Sequence, residues 1–113
     1  MNNNNKILEI KKLIRDLGVP VNLLGYKYIT EAVIIMLSSE KNIFLTEIYK
    51  NISKIYNVSI ESVEISIRHA IKKSTENSNK IKKIMCIPKN RSVSNSIFLN
   101  NIKELTLEKN NLD

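Results

Sequence analysis

His69 and Cys86 are each the only residue of their type in this 113-residue chain, so the side chains best suited to nucleophilic or metal chemistry come singly. A metal site needs more converging ligands, and a Cys/His pair needs a third group to orient it. His69 falls beside an apolar helical stripe, where a partly buried packing or hydrogen-bonding role is expected. Paired carboxylates for acid–base work would have to come from Glu61 and Glu64, on an exposed helix face with no pocket implied. Gly18 and Gly25 fall at a helix end and a turn, not in a phosphate-cradling loop. An enzyme is therefore not expected, nor any metal or cofactor.

The residues that do converge are basic and polar. Eighteen Lys and Arg against eleven Asp and Glu give a net charge of +7 and a pI near 9.6. Between residues 72 and 91 seven bases (Lys72, Lys73, Lys80, Lys82, Lys83, Lys89 and Arg91) stand against the single acid Glu76, a net +6 in twenty residues. A polyanion is the natural partner of such a segment. The lone cysteine fits a reducing cytosol. No apolar run reaches the roughly 18 residues of a membrane span, and no signal-peptide core is present. A soluble, cytoplasmic protein is expected.

The elements that must position these residues are helices. Two glycines and two prolines are too few for an all-β fold rich in tight turns. The spacing predicts an all-α, six-helix domain over residues 6–109, preceded by a flexible tail at 1–5. The first helix carries Ile7, Ile10, Leu13, Ile14 and Leu17 and stops at Gly18, and Pro20 prevents its resumption. The second starts between Asn22 and Lys27, runs to Leu37 and is the most apolar. The third opens near Thr46 as its cap, with Ile48, Ile52 and Ile55 inward. Asn57 tolerates a left-handed backbone, and Ser59 caps a fourth helix with Val63, Ile67, Ala70 and Ile71 inward. A short fifth helix spans Asn79 to Cys86. The last runs from Ser94 to Glu108 with Ile97, Phe98, Ile102 and Leu105 inward.

Residues 46–74 then form a helix-turn-helix, two helices joined across Asn57–Ser59 with Ser53 allowing a close crossing. Against that stands an ordinary helical corner, which needs the same turn. The outer face of the fourth helix presents Glu61, Ser62, Glu64, Ile65, Arg68 and Lys72. In a major groove Arg68 could fork onto guanine, Glu64 could accept from a cytosine amino group, and Ile65 could touch a thymine methyl. Ser59 and Ser62 are candidate polar contacts at its start. Lys72, Lys73, Lys89 and Arg91 would meet phosphates, and Asn95 and Ser96, at the start of the last helix, would help cradle one. As a purely structural alternative, Glu64 and Arg68 form a surface ion pair.

The stretches Leu17-Gly18-Val19-Pro20, Gly25-Tyr26-Lys27-Tyr28 and Glu31-Ala32 resemble the C-terminal effector domain of the stage-zero sporulation response regulator. So do Tyr56-Asn57, Val63-Glu64, Ile67-Arg68-His69-Ala70-Ile71, Asn95-Ser96 and Phe98, over roughly Ile10 to Glu108. The resemblance implies a six-helix fold, sequence-specific DNA binding often as tandem copies, and a place at the DNA surface for Glu64 and Arg68. Ser62 and Ile65 stand where that family usually carries DNA-facing arginines, which implies an altered target. The segment before the last helix is a few residues shorter than in that family. The family's phosphoacceptor receiver is expected to be absent, because Met1 falls just ahead of the effector region. The expected function is a sequence-specific DNA-binding transcriptional regulator with double-stranded DNA as partner, self-associating on DNA or pairing with a receiver-bearing relative. The alternative is a protein-interaction module that modulates a full-length relative and binds little DNA itself.

Overall fold

A computed structural model describes residues 3–39 and 41–112, and the side chains of 4–39 and 41–109. Six helices follow one another: α1 (Asn3–Asp16), α2 (Leu24–Ser38), α3 (Leu45–Tyr56), α4 (Ile60–Asn77), α5 (Lys80–Ile84) and α6 (Asn95–Leu112). Helix α1 reaches back to Asn3, so three residues of the expected tail are helical; Met1 and Asn2 lie outside the described residues.

Helix α2 is the hub, packed against α1, α3, α4 and α6. Its inward residues Tyr28, Ile29, Ala32, Val33 and Met36 join Ile10 and Ile14 of α1, Ile48 and Ile52 of α3, Val63, Ile67 and Ile71 of α4, and Phe98 and Ile102 of α6. Gly25 belongs to the first turn of α2, not to a turn between elements. The reason is contact: a Cβ there would overlap the Ser66 carbonyl oxygen and the Ala70 methyl of α4. Only a glycine lets the two backbones cross this closely.

The end of α1 is closed by α4. Gly18 takes φ 96°, as its helix-stopping role requires. The Leu17 and Gly18 carbonyls, left over at the helix end, are met by the Ser74 hydroxyl at 2.6 Å and the Asn77 amide at 3.1 Å. Helix α4 is thus tied to the body along its inner face and at its C-terminus, leaving its outer face exposed.

Three expected inward or capping positions are corrected. Helix α3 starts at Leu45 with extended Phe44 before it and no side-chain cap, so Thr46 lies in the first turn and caps nothing. Burial of Leu45 against the core sets that start. Ile55 is 57% exposed, because Ile48, Tyr49 and Ile52 carry the inner stripe and Tyr56 continues it. Ile97 is 45% exposed; the α6 stripe is shifted to Phe98, Leu99, Ile102 and Thr106. Thr106 can be buried because its hydroxyl donates to the Ile102 carbonyl at 2.8 Å. Helix α5 also ends earlier than expected, at Ile84.

Candidate nucleic-acid interface

The link from α3 to α4 is three residues long. Asn57 takes φ 54° and ψ 50°, the left-handed conformation that its short polar side chain tolerates. Ser53 does more than leave room: its hydroxyl donates to the Val58 carbonyl at 2.7 Å and braces the turn. Ser59 caps α4, its Oγ accepting from the Ser62 amide at 3.0 Å and donating to the Ser62 hydroxyl at 2.7 Å. Both expected polar contacts at the start of α4 are therefore partly engaged in holding the helix end.

Val63, Ile67, Ala70, Ile71 and Ser74 face the core, which turns Glu61, Ser62, Ile65, Arg68, His69 and Lys72 to solvent. At about 100° per residue, Glu61, Ile65, Arg68 and Lys72 share one narrow strip, with Ser62 and Lys73 on its flank. His69 is exposed, not partly buried, because its helical position falls a full residue outside the inner stripe. Arg68 Nη2 and Glu64 Oε1 are 2.7 Å apart. This is the surface pair of the structural alternative; with both side chains well exposed it is worth a few tenths of a kcal/mol. Lys73 faces Glu76 at 3.3 Å. Neither pairing is strong enough to withhold its cation from a polyanion.

A cleft runs between α4 and the loop into α6, lined by Tyr49, Glu64, Arg68, Lys72, Thr75 and residues 92–96. It brings together five expected site residues: Glu64, Arg68, Lys72, Asn95 and Ser96. Ser94 caps α6, its hydroxyl accepting from the Ile97 amide at 3.2 Å. Asn95 does not point freely into the cleft as a phosphate ligand. Its Nδ2 donates to the Tyr49 hydroxyl at 2.9 Å and to the Glu64 main-chain carbonyl at 3.2 Å. Ser96 is exposed and accepts from Asn100. Lys89 and Arg91 lie on the exposed segment after α5, where the Lys82 ammonium donates to the Lys89 carbonyl at 2.7 Å. Cys86 is exposed in the same segment with φ 56°.

Tyr49 was not among the residues singled out by sequence. Its hydroxyl sits on the cleft floor, and its pKa is raised from 10.0, first by burial, against a lowering by the Asn95 bond; Glu64 raises it and Arg68 lowers it. The available signal was its place beside Ile48 and Ile52 on the inner stripe of α3, which marks burial but not the polar partner.

Two helices joined by a three-residue turn, with an exposed strip on the second and cations beside it, are an arrangement that a DNA-binding helix-turn-helix can use. The family model described as "Sporulation initiation factor Spo0A C terminal" matches residues 10–105. The chain belongs to that family. Spo0A C-terminal domains are DNA-binding effector domains of a sporulation regulator, a family of transcription factors and not of enzymes, which makes transcription regulation the setting of this chain. The six-helix, strand-free architecture of the described residues agrees with that membership. Among the described residues no group of His, Cys, Asp and Glu could hold a metal ion, and no helix is long and apolar enough to cross a membrane.

Proposed function

We propose that this chain is a sequence-specific transcriptional regulator that lays α4 in the major groove of double-stranded DNA. The observation that carries this reading is the strip of Glu61, Ile65, Arg68 and Lys72 along the exposed face of α4, with Glu64 paired to Arg68 at its edge. Arg68 leaves Glu64 to fork onto a guanine, or shares it while Glu64 accepts from a neighbouring cytosine. Ile65 meets a thymine methyl, and Ser59 and Ser62 reach the backbone or a base edge at the helix start. Lys72, Lys73, Lys89 and Arg91 contact phosphates, and Ser96 adds a hydroxyl at the α6 N-terminus. With Ser62 and Ile65 in place of the family's usual arginines, the preferred box differs from the family's.

The test is selection of a preferred duplex from a random pool, followed by Arg68→Ala. A loss of about 1–3 kcal/mol on the best site, with weaker discrimination at one base pair, supports the reading. An equal loss on every duplex contradicts it.

A second reading is favoured by Ile65, a large apolar side chain 49% exposed in the middle of the strip. In that reading the chain pairs with a receiver-bearing relative and binds little DNA itself. Co-migration of the two purified proteins in the absence of nucleic acid would support it, and Ile65→Lys would abolish the pairing.

A further inference from the structure

Among the described residues, Asn95 carries the only side-chain hydrogen bonds that join α6 to both helices of the helix-turn-helix. Its Nδ2 spans the Tyr49 hydroxyl of α3 and the Glu64 carbonyl of α4, while its Oδ1 is buried without a hydrogen-bond partner. The Glu64 carbonyl dictates this orientation. A hydroxyl can accept or donate, but a carbonyl only accepts, so the amide must turn its NH2 toward α4. An unpaired buried amide oxygen is unfavourable, so it is the two Nδ2 bonds that hold Asn95 here. The position is therefore spent on holding two parts in register. One part is the α4 turn that carries the Glu64–Arg68 pair. The other is the loop from Arg91 to the Ser94 cap of α6.

We infer that Asn95 is a positioning residue: by bonding to Tyr49 and the Glu64 carbonyl it fixes the phosphate-facing loop at a set distance from the base-facing strip of α4. Backbone and base contacts then form in one register, and Asn95 acts through these neighbours instead of touching DNA. This rests on the DNA reading proposed above.

The experiment uses the full chain, with Asn95→Ala and Tyr49→Phe, and has two readouts. Hydrogen exchange on the free protein should show the Ile97 and Phe98 amides of Asn95→Ala exchanging about tenfold faster relative to Ile52 and Ile67 than in the wild type. Anisotropy across a salt series should show about a tenfold loss in the ratio of preferred to scrambled duplex, with a salt slope shallower by about one. Tyr49→Phe removes one of the two bonds and keeps the one to Glu64, so it should lose less in both the ratio and the slope than Asn95→Ala. If Asn95→Ala melts earlier but exchanges uniformly and discriminates like the wild type, the bonds are only structural and the proposal is overturned. If the wild type itself binds every duplex equally, the DNA reading fails separately, and the exchange pattern decides the register: local acceleration upholds it, uniform acceleration ends it. Should Asn95→Ala not fold, Asn95→Asp keeps the shape and withdraws the donor from the Glu64 carbonyl. It is read by exchange alone, because its charge would repel phosphate.

Discussion

Arg68 and Glu64 hold each other at 2.7 Å on the surface of α4, and what DNA does to that pair separates reading from folding. An exposed i,i+4 pair contributes a few tenths of a kcal/mol, so Arg68→Ala should leave the thermal midpoint nearly unchanged while costing about 1–3 kcal/mol on the best site. Glu64 has the opposite sign. Removing its charge with Glu64→Gln should tighten binding to every duplex, because a carboxylate no longer faces phosphates, and should weaken the preference for the selected one. Parallel anisotropy titrations of both variants check this. Tyr49 and Tyr56 add a pH signature: burial raises both above 10.0, so the folded state holds the phenolic protons more tightly than the unfolded chain does. Their contribution is fully present below pH 10 and is lost as pH rises through and beyond it. Denaturant melts at pH 8 and pH 11 should show the drop, and Tyr49→Phe should reduce it.

Helix α4 is held by two contacts that carry no charge, and the one at Gly25 sets its tilt. At Gly25 an added Cβ meets the Ser66 carbonyl and Ala70, so Gly25→Ala should cost about 1–3 kcal/mol by overpacking and should tilt α4 enough to weaken DNA binding beyond the loss of folded protein. Ser74→Ala leaves the buried Leu17 carbonyl without its 2.6 Å partner and should also cost about 1–3 kcal/mol, here with α4 still correctly aimed. Urea melts with matched binding curves distinguish the two. All six helices and the Asn57–Ser59 turn were legible in the sequence, because apolar spacing, Gly18, Asn57 and the serine caps each state a local rule. The misreadings at Thr46, Ile55 and Ile97 share one cause: near a helix end, packing against α2 sets the register, and a single residue of shift turns an isoleucine outward. Gly25 could not be placed either, since its meaning lies in a backbone forty residues away.

For the whole molecule, the radius of gyration of 13.4 Å matches the roughly 13 Å of a single domain this long, so the +7 charge is spread over a small surface. Within it, the sequence could locate the cations and the exposed face of α4. It could not show that Asn95 is bonded to Tyr49 and Glu64, because that contact spans three helices and has no local pattern. Phosphate contacts from Lys72, Lys73, Lys89 and Arg91 would give a salt slope of about −3.6 on B-form DNA, and replacing all four with alanine should flatten it while leaving the order of preferred sequences intact. The most direct measurement is fluorescence anisotropy of the wild-type chain with a duplex selected from a random pool and with its scrambled counterpart, from low to physiological salt. A preference for the selected duplex that survives physiological salt is the predicted result. Equal binding to both duplexes, vanishing at physiological salt, would mean that α4 does not read bases.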